Sequence, residues 1–113
     1  MLKASSTPIY NLKGRRFVSI HVASNQIELI FDDEVGKFNP SVKLFGEYLF
    51  SSEGSIFINR VPHLIDELVV TLNSIVTMAL LDESGDMQIH LSDGKLLRVP
   101  SISDGQIGFE VYI

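Results

Sequence analysis

The chain has 113 residues, a formal net charge of −5 and no cysteine. One domain spanning residues 1–113 is expected, large enough to bury roughly 65% of the surface its unfolded form exposes. Disulfide stapling and thiolate metal sites are excluded, which fits a reducing compartment.

Hydrophobic residues make up 45% of the chain, an ordinary share for a globular protein. No stretch approaches the roughly 18 apolar residues of a membrane helix. Residues 1–14 include Lys3, Ser5, Ser6, Pro8 and Asn11 and lack the apolar run of a signal peptide. A cytoplasmic protein with no membrane partner is therefore expected. Lys13, Arg15 and Arg16 form the only basic cluster and read as solvated residues where a strand begins. Direct nucleic-acid binding is not expected of so acidic a chain. A basic macromolecular partner suits it better, because complementary charge speeds encounter.

The first strand signal spans residues 17–22. Val18, Ile20 and Val22 share one face and Ser19 and His21 the other. Asn25-Gln26 offers a tight turn, after which Ile27, Leu29 and Phe31 share a face, so the two runs predict a hairpin. Asp32-Asp33-Glu34 ends it. Val42, Leu44 and Tyr48-Leu49-Phe50 read as one or two strands, and Ile56 and Ile58 share a face of another.

Pro62 then opens a helix-like stretch over residues 62–73, with Leu64, Ile65, Leu68 and Leu72 on one face. Proline suits a first helical turn, Asp66 and Glu67 suit the positive end of the helix dipole, and Asn73 can stop the helix in the left-handed conformation. The β-branched Val69 and Val70 make a strand the competing reading.

Val76, Met78 and Leu80 alternate with Thr77 and Ala79, and Met87, Ile89 and Leu91 alternate after a turn at residues 82–86. Ser92-Asp93-Gly94 closes that strand with a strong turn signal. This hairpin, at residues 75–93, is a weak copy of the one at 17–33. The fold class predicted is mainly β with one short helix near 62–73. About seven or eight strands would meander antiparallel into a two-layer sandwich or a strongly bent sheet.

Signals for catalysis are absent from the sequence. His21, His63 and His90 lack metal-ligand spacing. His21 and His90 turn away from their strands' apolar faces; only side-by-side pairing of the two copies would bring them together. Neighbouring carboxylates on a strand diverge, so Asp32, Asp82 and Asp86 read as turn residues. No nucleophile elbow or phosphate loop occurs. Phe45, Tyr48 and Phe50 suggest a stacking platform for single strands, which the acidic charge disfavours. Pairing of His90 with Asp93 would be needed for a hydrolase. The expectation is a protein that is not an enzyme, needs no cofactor or metal, and binds another macromolecule.

From residue 68 to 113 the order is a helix end, a strand at 74–81, a Gly85 turn and a strand at 87–91. Ser92-Asp93-Gly94, Leu97-x-Val99 and Phe109-Glu110-x-Tyr112-Ile113 follow. This segment resembles small bacterial β-proteins that include CdiI-type immunity proteins of contact-dependent growth inhibition. Residues 12–33, from Leu12-Lys13-Gly14 to Phe31-Asp32-Asp33, resemble their opening. Glu34 departs from the pattern, which has Gly there, and Val111-Tyr112 stands in place of Ala-Trp. The resemblance implies a cytoplasmic immunity protein that binds a cognate toxin, the C-terminal domain of a large secreted CdiA-type effector, with a nuclease among the options. Toxin contacts vary within such proteins, so the contact residues are drawn from the acids near turns: Asp32, Asp33, Glu34, Asp82, Glu83 and Asp86, with Glu47 and Glu53 behind them. The alternative is a non-catalytic β-domain that acts as an adaptor or subunit through protein–protein association, motivated by the aromatic-rich stretch 45–57.

Overall fold

The computed structural model describes residues 9–32 and 39–112. Among them are eleven strands and one short helix. β1 (Phe17–Ala23), β2 (Gln26–Phe31), β3 (Ser41–Leu44) and β11 (Phe109–Tyr112) form one antiparallel sheet in that order. The second sheet has the order β5 (Ser55–Arg60), β4 (Glu47–Ser52), β8 (Leu96–Val99), β7 (Met87–Leu91) and β6 (Val76–Leu81). β9 (Ile102–Ser103) and β10 (Gln106–Ile107) make a small hairpin between β8 and β11. The helix is α1 (Asp66–Val70).

The mainly-β class read from the alternation is the observed one. Ile27, Leu29 and Phe31 of β2, Val42 and Leu44 of β3, and Phe109 and Val111 of β11 are buried. They face Tyr48 and Phe50 of β4, Met87, Ile89 and Leu91 of β7, and Leu97 and Val99 of β8 in one core. Each such side chain contributes about 1.5–3 kcal/mol of burial. Leu68 of α1 lines a small cavity in the core with Phe17, Leu29, Phe31, Ile89, Leu91 and Leu97.

Two β-bulges correct the simple alternation. In β1 the register slips between Phe17 and Ser19, so Phe17 joins Ile20 on the core side and Val18 is the extra residue. In β6 it slips between Val76 and Met78. Ala79 is thereby buried and Met78 turned to solvent, the reverse of the expected pattern, because one extra residue flips every later side chain.

The bulged strands meet at their starts. An isolated bridge pairs Arg16 with Ile75. Around it, Gly14 donates its N–H to the Val76 carbonyl (2.7 Å), Val76 to Arg15 (2.8 Å), Phe17 to Ser74 (2.9 Å) and Asn73 to Phe17 (2.7 Å). This stitch closes one side of the sandwich. The result is two sheets joined at one margin rather than one bent sheet.

There are more strands than the seven or eight expected. The 42–50 stretch breaks at Phe45-Gly46 into β3 and β4, and residues 102–107 fold back as a hairpin. The break needs glycine, since a Cβ on Gly46 would sit 2.4 Å from the Ser103 hydroxyl. The β1–β2 turn falls on Ser24-Asn25, one residue earlier than expected. Pro62 lies in a turn, where His63 donates its N–H to the Arg60 carbonyl, and the helix starts only at Asp66. It ends at Val70, as the β-branched pair would favour. Asn73 does adopt a positive φ, three residues on.

Gly108 is where β11 leaves the β9–β10 hairpin. A Cβ there would lie 1.9 Å from the Pro100 carbonyl oxygen. Backbone, not a flexible tip, would have to move. Gly108→Ala is expected to lower stability by about 2 kcal/mol or more in urea unfolding, whereas Ala at an open surface position would not.

Candidate functional site

The expected contact acids fall into separate groups. Asp33 and Glu34 lie outside the described residues. Asp32 accepts the Arg16 N–H on its carboxylate (2.9 Å), and its carbonyl accepts Arg15 (3.0 Å), so it ties down the start of β1. Glu47 is half-buried on β4 opposite Arg60. Asp82 and Asp86 belong to a polar clasp at the β6–β7 turn. The Asp82 carboxylate accepts the N–H groups of Ser84 (2.9 Å) and Asp86 (3.1 Å), and Asp86 accepts Ser101 (2.9 Å). The Arg98 guanidinium lies 3.2 Å from both carboxylates. Glu83 is exposed at the tip of that turn.

Burial pushes the Asp82 carboxyl up, but the backbone N–H groups of Asp86 and Ser84, the Gln88 amide and Arg98 outweigh it and hold it below its ordinary value. Such a group stabilises its turn and has little left for a partner.

A second clasp joins the β7–β8 turn to the residues after α1. The buried Thr71 hydroxyl donates to Asp93 (2.6 Å) and lies 3.2 Å from the Ser74 hydroxyl. Lys95 sits 3.3 Å from the same carboxylate. Burial raises the Asp93 carboxyl, and the bonds from Thr71, Lys95 and Ser74 lower it further than burial lifts it.

The β4–β5 turn is different. Glu53 and Gly54 are its two central residues, at φ 52° and 85°. Positive φ at both positions is the type I′ pattern that Asn, Asp and Gly adopt cheaply. Glutamate there costs about 1–2 kcal/mol. Glu53 lines an open groove with Ser52, Ser55, Phe57, Asp66, Glu67, Val70 and Lys95. Its carboxylate, like those of Asp66 and Glu67, has no hydrogen bond or ion pair among the described residues. Three carboxylates and one ammonium thus line the groove together with Phe57 and the exposed Val70.

β4 runs beside β8 with Ser51 opposite Leu96, while Val99 lies opposite Met87. The groove and the Asp82 clasp therefore sit at opposite ends of the five-stranded sheet, and the expected acids do not form one face. In the sequence Asp66 and Glu67 read only as helix-dipole residues. Their place beside Glu53 depends on how α1 lies across the sandwich, which no local spacing encodes.

His21 lies on the outer side of the first sheet, 3.8 Å from Glu28, and His90 on the outer side of the second, near Gln88. The two histidines are not brought together, and His90 and Asp93 are engaged with different partners. Tyr48 and Phe50 are buried, so no stacking platform forms from them. Among the described residues, no three His, Asp or Glu side chains converge as metal ligands, and no helix is long and apolar enough to cross a membrane. Comparison with protein-family models, with curated proteins and with solved structures finds no match.

Asp93 gives a pH dependence of definite sign. Its folded-state value lies below the ordinary one, so its stabilisation is present above about pH 4 and is lost as pH falls from there through the lowered value. Urea unfolding across pH is expected to show wild type more stable than Asp93→Asn at neutral pH, with the gap closing below about pH 4.

Proposed function

We propose that this chain is a binding protein, without catalytic activity, that neutralises a cognate toxin in the cytoplasm as a CdiI-type immunity protein. The observation that carries the binding role is the groove at the β4–β5 turn, where Glu53, Asp66 and Glu67 stand unpaired around Phe57 and Val70. The assignment to toxin immunity rests on the sequence resemblance. In this reading the toxin is the C-terminal domain of a CdiA-type effector, a nuclease among the options.

The mechanism follows from charge and shape. A nuclease holds phosphates with a basic surface, and carboxylates on a rigid frame compete for the same lysines and arginines. Phe57 and the exposed Val70 add apolar contact area beside the charges, and in such interfaces a few residues carry most of the affinity. Glu53 at a positive φ supports this role: strained backbone at an exposed tip is commonest at functional positions. Occlusion requires no bond-making, so neither cofactor nor metal enters.

The test is co-expression and pull-down with the product of a neighbouring toxin gene. Wild type is expected to bind and to protect cells. Glu53→Lys combined with Glu67→Lys is expected to weaken binding by about 30-fold or more, steeply so at low salt. Glu83→Lys, at the far end of the sheet, is expected to bind as wild type does. Absence of a complex and of protection would overturn the immunity reading. Equal loss from all three substitutions would overturn the groove's part in it.

A further inference from the structure

The sandwich has four sheet margins, and they are managed unequally. β1 and β6 carry bulges and cover one another through the Arg16–Ile75 stitch. β11 is four residues long. β5 is six residues long, pairs with β4 in unbroken register and has no neighbour on its other side among the described residues. Its sequence, Ser-Ile-Phe-Ile-Asn-Arg, contains no proline and no charge before Arg60. Natural sheets normally protect such an edge.

The direction of its free hydrogen-bonding groups can be worked out. Val61 donates its N–H to the Gly46 carbonyl. Antiparallel bonds alternate, so Asn59, Phe57 and Ser55 also bond toward β4. Glu47 agrees: its N–H points away from β5, to the Ser103 hydroxyl. Ile56, Ile58 and Arg60 therefore aim their backbone groups outward at the edge. The side chains of Ile56 and Ile58, 65% and 63% exposed, lie on the outer face of the sheet.

We propose that β5 pairs antiparallel with β5 of a second copy of this chain, joining two five-stranded sheets across a two-fold axis. Residues opposite one another in an antiparallel pair share a face. The register that puts isoleucine against isoleucine has Phe57 on the axis, with Ile56 opposite Ile58 of the second copy and Ile58 opposite its Ile56. Both pairs are hydrogen-bonding pairs, so the outward N–H and C=O groups are satisfied reciprocally. The same register sets Arg60 opposite Gly54 of the second copy, next to its Glu53. Antiparallel self-pairing thus brings the unpaired Glu53 carboxylate of each copy toward the Arg60 guanidinium of the other. Arg60 already meets Asp104, an exposed pair of the kind that adds little by itself. Such an interface is self-complementary, as two-fold dimers require. It stands independently of the immunity reading.

Sedimentation of the full chain up to about 1 mM, together with amide exchange by NMR, tests the proposal. Wild type is expected to dimerise, with the Ile56 and Ile58 amides protected like those of Phe57 and Asn59. Ile58→Lys is expected to raise the dimer dissociation constant by about 30-fold or more. Met78→Lys, on the same outer face at the far margin, is expected to leave it unchanged. Glu53→Arg is expected to weaken the dimer and added Arg60→Glu to restore it. A wild-type monomer at the top concentration, or freely exchanging Ile56 and Ile58 amides beside protected Phe57 and Asn59, would overturn the pairing. So would a dimer that Met78→Lys dissociates and Ile58→Lys does not, because its outer faces would then be stacked.

Discussion

The stitch between residues 14–17 and 73–76 is the interaction on which the rest of the structure depends. It fixes the β1 margin of one sheet against the β6 margin of the other, with backbone bonds of 2.7–2.9 Å. Once that side is closed, the inner faces must meet, and the buried stripes of β2, β4, β7 and β8 fill the gap. The stitch also begins three residues after α1 ends at Val70. It therefore holds the helix near the end of the sandwich, with Leu68 in the core and Asp66 and Glu67 turned toward the β4–β5 turn. Closing one side leaves β5 and β11 as the open margins of the other among the described residues.

The same framework divides the carboxylates by task. Asp32, Asp82, Asp86 and Asp93 each accept backbone or side-chain donors, and they hold strand starts and turns in place. A carboxylate so engaged gains from its ionised form in the folded state, which is why the Asp82 and Asp93 carboxyls lie below their ordinary values despite partial burial. Glu53, Asp66 and Glu67 make no such bonds and remain available to a partner. Aspartate suits the first task because its short side chain reaches nearby N–H groups. The longer glutamate at residue 53 gains nothing locally at a positive φ, and this mismatch sets it apart from Asn73 and Asp104, the other non-glycine residues in that region among the described residues.

Much of the fold was legible because it rests on short-range rules. Alternation located β2 and β7, and Asp93-Gly94 located a turn. What local pattern could not supply was the bulges. Val18 and Thr77 carry no signal of being extra residues, yet they decide that Phe17 and Ala79 point inward and Met78 outward. Ile56 and Ile58 were seen to share a face, but whether it was inner or outer depended on their strand becoming an edge. The site was less legible still. Asp82 and Asp86 stood out by density, although density marked a turn. Asp66 and Glu67 became part of a groove only through the helix position that the distant stitch imposes.

The division between structural and free carboxylates is tested most directly by thermal unfolding of four single variants at neutral pH. Asp82→Ala and Asp93→Ala are expected to lower the melting temperature by about 4 °C or more, through loss of the bonds their carboxylates accept. Glu53→Ala and Glu67→Ala are expected to melt with wild type. If the Glu53 and Glu67 variants lost the stability while the Asp82 and Asp93 variants kept it, the division would be wrong.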